Sequence, residues 1–120
     1  MALKTIRLEL ARSPDHPDGS SRHGYELQAP LQADGHLDVT AWRELHRSVL
    51  MPVRRFWAGD DDRQGELVHT RHGWAFSYAP GEDDDEAVFR LDRHLFRPGE
   101  YVTVSEPSGA AHTFRVVSVR

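Results

Sequence analysis

A chain of 120 residues with a formal net charge of −4 and no cysteine has the length of one domain. It can carry no disulfide framework, no thiolate zinc site and no thiol nucleophile. Its acidic balance, eight basic against eight acidic residues in 1–60 and seven against eleven in 61–120, lacks the counterion-release drive behind general nucleic-acid binding.

A domain of this size buries roughly two-thirds of the surface its unfolded chain exposes, enough for a core without staples. The start "MALKTIRLELARSPD" alternates charged and apolar residues, so no signal peptide is expected. No run approaches the ~20 apolar residues of a membrane span. A soluble cytoplasmic protein with no membrane contact is therefore expected. Among the basic residues only Lys4 is a lysine. Arginine suits bidentate pairing with carboxylate or phosphate, but a GC-rich genome gives the same bias, and that explanation comes first.

In chain order, "LKTIRLELAR" (Leu3–Arg12) sets Ile6, Leu8 and Leu10 against Arg7 and Glu9, the period of a half-buried antiparallel strand. Ser13–His23, rich in Pro, Gly and Ser, is expected to be an irregular loop. Tyr25, Leu27 and Ala29 alternate in a second strand that Pro30 ends, and Asp34-Gly35 signals a turn. Asp38 is placed to cap one packed α-helix near residues 39–50, with Trp42, Leu45 and Val49 on its apolar face and Pro52 stopping it. "VRRFW" (Val53–Trp57) sets Val53, Arg55 and Trp57 on one face and Arg54 and Phe56 on the other. "GELVHT" and "WAFSYAP" follow, the second with Trp74, Phe76 and Tyr78 in strict alternation, and then "AVFRL" (Ala87–Leu91). The tail forms a hairpin: Val102 and Val104 oppose Tyr101, Thr103 and Ser105, and Phe114 and Val116, continued by Ser118, oppose Arg115, Val117 and Val119. The sum is a mainly β (α+β) single domain over 1–120. About eight mostly antiparallel strands form a curled sheet or a small barrel or sandwich, with the helix over an open end.

Several strings invite a chemical reading. "GDDDRQGELVHTRH" (Gly59–His72) imitates the early positions of an EF-hand loop through Asp60, Asp62, Gln64 and Gly65. The bidentate glutamate of position twelve is replaced by Arg71, and strands flank it where helices are needed. A solvated hairpin is expected instead, and "GEDDDE" (Gly81–Glu86), with its acids at Glu82–Glu86, reads as an exposed connection. Eight histidines show no metal-ligand spacing, and His69 and His72 would suit a helix where none is expected. Neither G-x-S-x-G, G-x-G-x-x-G, a P-loop nor H-E-x-x-H occurs. No catalytic residue, metal ligand or cofactor is assigned. "VRRFW", "RHGY", "RHLF" and "HTFRV" pair basic with aromatic side chains, the combination that stacks bases and holds phosphates. Strands that alternate aromatic-in with charge-out yield the same strings, and that account is preferred.

"KTIRLELAR", "RHGYEL", "LDVTAWRELHRSV", "VRRFW" and "FRPGEYVTVSEPSGAAHTFRVVSV" together resemble a group of small bacterial proteins of unassigned function, over most of the chain. The resemblance implies a stand-alone cytoplasmic domain and lends no catalytic residues. The closing hairpin "PGEYVTVSEPSG…HTFRVVSV" is similar to the last strands of PUA-like and SH3-like small barrels, which implies RNA or modified bases as ligands. The leading expectation is a small non-enzymatic binding or interaction domain with a protein partner. Its contact surface would use Arg54, Arg55, Trp57, His23 and Tyr25. An RNA-binding barrel is the alternative, disfavoured by net charge, and a metal-dependent enzyme comes third.

Overall fold

A computed structural model describes residues 3–70, 73–78, 86–88 and 95–120, with residues 86–88 described by their backbone alone. The alternation of the first strand becomes β1 (Lys4–Leu10), with Ile6, Leu8 and Leu10 buried. It is followed by β2 (Ser20–Ala29), α1 (Val39–Leu45), β3 (Pro52–Trp57), β4 (Arg63–Thr70), β5 (Gly73–Ser77), β6 (Glu86–Val88), β7 (Tyr101–Ser105) and β8 (Ala111–Val119). Each strand pairs antiparallel with the next, and β8 returns to β1, so the mainly β sheet curls into a closed barrel. Closure satisfies the edge hydrogen bonds that an open sheet of this length would leave exposed.

The barrel interior is filled. Tyr25, Phe76, Phe114, Ile6, Leu8, Leu27, Val53 and Leu67 are almost wholly buried in one core cluster. An eight-stranded barrel is just wide enough for side chains to fill it, so a ligand has the two ends and the outer wall available.

One end is plugged by α1. Asp38 caps the helix by accepting from the Ala41 N–H at 3.0 Å. Trp42 is driven into the barrel end, where its Nε1 donates to the Leu67 carbonyl at 3.2 Å and its ring meets the Trp74 ring edge-on at 5.5 Å. The helix is shorter than the expected 39–50. It stops at Leu45, whose carbonyl accepts from both Ser48 and Val49 N–H groups. Met51 is buried and its carbonyl accepts from the Leu67 N–H. Delivering Met51 to the core takes the chain off the helix path and leaves Val49, expected on the apolar face, and Leu50 exposed.

Two further expectations change. β2 begins at Ser20, inside the stretch expected to be loop, because Ser20 pairs with Leu10 across a register jump. In β8 a register shift opposite Arg7 and Leu8 pairs Ser118 with Arg7 and Val119 with Ile6. An extra residue there flips the faces, so Val119 takes the inward place that plain alternation gives to Ser118. The expected strand Ala87–Leu91 is described only to Val88, and the acidic run 81–85 lies outside the described residues, as do His72 and His94. Among the described residues no helix is long and apolar enough to cross a membrane.

Candidate functional site

The end opposite α1 is where β1, β3, β5 and β7 finish and β2, β4, β6 and β8 begin. The apolar filling ends there with Phe114 and Tyr25, whose rings meet edge-on at 5.1 Å. Above them the inward-facing positions carry polar and aromatic side chains. On β3, Arg55 and Trp57 follow Val53 along the inner face. On β2, a bulge brings His23 to the same mouth. Glu9 pairs with Gly24 and Leu10 with Ser20, so Ser21, Arg22 and His23 have no partner on β1, while His23 pairs with Trp57 on β3. Bulges at barrel rims re-aim side chains in this way. β8 supplies His112 next to Phe114, and the β7–β8 turn supplies Glu106.

Trp57 is the hub. The Arg55 guanidinium lies over the indole at 4.2 Å from the ring centroid. The His23 ring meets it edge-on at 4.6 Å, and His112 is tilted against it at 5.4 Å. His16, from the loop before β2, extends the row by packing on His23 at 4.8 Å. Arg55 is 11 % exposed and reaches the Glu106 carboxylate at 3.5 Å, and His112 Nε2 lies 3.6 Å from the same oxygen. At the neighbouring rim, Arg63 covers the Tyr78 ring at 4.1 Å. Cations held over aromatic faces and half-desolvated give a surface that grips through stacking and charge together.

His23 is held below the ordinary histidine range. Partial burial is the main cause, the charges of His16 and Arg55 add to it, Asp60 opposes it, and His112 adds a little more. A neutral ring fits the 2.6 Å hydrogen bond between Ser20 Oγ and His23 Nδ1, since Ser20 Oγ also accepts from the Arg22 N–H. A histidine whose folded pKa lies below its unfolded value binds fewer protons when folded. Its stabilising contribution is therefore present above about pH 6.5 and is lost as pH falls from there toward the folded pKa. Urea titrations at neutral and mildly acid pH are expected to show a steeper loss of stability on acidification in the native chain than in His23→Gln. Parallel curves for the two proteins would remove His23 as the source.

Compared with protein-family models, curated proteins and solved structures, the chain has no match. The site therefore rests on geometry alone.

Of the five residues expected to share a contact surface, His23, Arg55 and Trp57 do meet, at the mouth. Tyr25 does not. It is 2 % exposed and packs on Phe76 and Phe114 inside the barrel. Arg54 faces the outer wall, where it binds Asp62 at 2.9 Å and Glu26 at 3.6 Å and lies over the Phe56 ring. His16, His112 and Glu106 join the cluster without being among the five expected residues. For His112 a signal existed, the basic-aromatic string "HTFRV". The acidic stretch Asp60–Asp62 is the exposed turn of the β3–β4 hairpin, as expected, with Gly59 at φ +89°. Its rim position puts Asp60 within electrostatic reach of His23. Among the described residues, no group of three or more His, Asp or Glu side chains is arranged to hold a metal ion. His69 sits at the plugged end, against Trp74 and Trp42.

Proposed function

We propose that this chain is a small, non-enzymatic cytoplasmic binding domain that engages a protein partner through the barrel mouth. The observation that supports it is the indole of Trp57, half-buried and bracketed by Arg55, His23 and His112 at the end that α1 leaves uncovered. Tryptophan and arginine dominate the energetics of protein interfaces when water is excluded around them. The β3–β4 turn beside them carries Asp60 and Asp61, both exposed, whereas Glu106 is matched to Arg55, and these two acids favour a partner segment carrying basic side chains.

The test is an affinity pull-down of the tagged chain from lysate of its own host, with and without nuclease, for native protein and Trp57→Ala. A nuclease-resistant partner is expected, retained about tenfold less by the variant. Equal recovery by both proteins would refute the mouth as the contact surface. The Arg55–Trp57 stack also favours a second reading, since nucleic-acid surfaces use the same pair to hold bases. The carboxylates around the mouth oppose it, and nuclease-sensitive recovery would promote it.

A further inference from the structure

A second feature lies on the outer wall, bordered by the same β1–β2 loop and β2 bulge but lined by neither Trp57, Arg55, His23 nor His112. The loop between β1 and β2 folds back along β1, with the Gly19 backbone too close to the Leu10 carbonyl for a side chain, since a Cβ there would lie 2.7 Å from the oxygen. Between this loop, the β2 bulge and the outer faces of β7 and β8 runs a groove of about 940 Å³. That volume lies within the range of small-molecule sites, roughly 300–1,000 Å³.

The charge of the groove runs against the charge of the chain. Arg12, Arg22 and Arg115 line it, all exposed and, among the described residues, none in an ion pair. Arg7, Arg54 and Arg55, by contrast, are each matched to a carboxylate. Of the two acids in the lining, Glu9 is already bound by Arg7 at 2.8 Å. Glu9 also stands opposite Arg115 in register, and Asp18 is the other acid against three arginines in the lining, so the groove is cationic on a chain of net charge −4. Ser20, Ser21 and Thr113 line the same walls. Tyr101, directly opposite Arg115 in register, is 54 % exposed, one of the few large apolar side chains left in solvent among the described residues.

We propose that this groove binds a small phosphate-bearing ligand with a planar ring, a nucleotide by chemical class. Three arginines lining one groove match the multiple oxygens and charge of a di- or triphosphate better than a single carboxylate. The tyrosine face gives the ring a stacking platform at the groove edge. The same chemistry is present in a free nucleotide and in the end of an RNA strand. The groove's volume, within the range of small-molecule sites, favours the free molecule. The proposal does not rest on the mouth as a contact surface.

The experiment is an NMR titration of the ¹⁵N-labelled full chain at low salt with adenosine diphosphate, pyrophosphate, adenosine and a short oligoadenylate. Adenosine diphosphate is expected to shift the amides of Ser20–Arg22 and Thr113–Arg115, with a Kd below about 1 mM. Arg22→Gln and Arg115→Gln should each weaken binding about tenfold. Tyr101→Ala should weaken the diphosphate but leave pyrophosphate unchanged, and Trp57→Ala should change neither. All of these side chains are exposed or half-exposed, so the variants keep the fold, which their spectra will show. The proposal is overturned if neither diphosphate nor pyrophosphate shifts these amides, or if the Arg22→Gln/Arg115→Gln double variant binds unchanged. Binding by the oligoadenylate alone would overturn it too.

Discussion

Replacing Gly24 with alanine is expected to cost about 3 kcal/mol of stability, at the upper end of what overpacking a well-filled site does. Gly24 sits on the outer wall, not in the core, and its conformation is one that any residue adopts. The obstacle is space. A Cβ at Gly24 would lie 1.9 Å from the Leu8 carbonyl oxygen and 2.9 Å from Phe56 Cζ. The carbonyl belongs to a strand fixed on both sides, so it cannot yield. Phe56, paired with Gly24 across the sheet, lays its ring over the missing side chain. The Arg7 and Arg54 guanidinium groups close over that ring at 4.4 and 5.2 Å, and the result is an outward aromatic that is only 8 % exposed. Urea denaturation of Gly24→Ala should show a large fall in midpoint. Gln28→Ala, on the same outer face of β2, should change stability by about 0.5 kcal/mol or less. A Gly24→Ala protein as stable as native would mean that the bulge relaxes freely, and the packing account would fail.

Trp42→Ala is expected to destabilise the barrel by about 3–5 kcal/mol, the usual cost of deleting a buried aromatic. Trp42 is 8 % exposed and closes one end of the barrel for a helix of only seven residues, too short to persist without that anchor. Its Nε1 also satisfies the Leu67 carbonyl inside the barrel. Trp42→Phe keeps most of the volume and loses that hydrogen bond, so about 1–3 kcal/mol should separate it from native. Amide exchange should speed up at Leu67–Thr70 and Gly73–Trp74, the strand ends beneath the plug, before it does in β1 and β2. Trp57→Ala provides the contrast. Its indole is only half-buried at the opposite end, so its loss should cost binding more than stability. Should Trp57→Ala be the more damaging to folding, the division into a structural and a functional end would be wrong.

Much of the fold was legible because alternation is local. Period-two patterning assigns Ile6, Leu8 and Leu10, then Trp74 and Phe76, then Val102 and Val104 to the interior, and all are buried. It also separates Arg54 from Arg55, and Asp38 declares the helix start. These follow from backbone geometry that each segment carries with it.

What parity cannot supply is depth along the barrel axis. Tyr25 and Arg55 are register partners on the same inner face, yet the Tyr25 ring lies in the core while Arg55 reaches the mouth. Depth depends on how neighbouring strands are staggered and on which end the helix closes, and both are settled only when the ring forms. The bulge that turns His23 onto Trp57 and the shift that turns Val119 inward are likewise two-strand properties, invisible to either strand alone. The cationic groove collects Arg12, Arg22 and Arg115 from separate parts of the chain. The local sequence determined which faces are apolar, because side-chain direction is a local property. The tertiary structure decided which polar residues meet, because meeting requires the barrel to close.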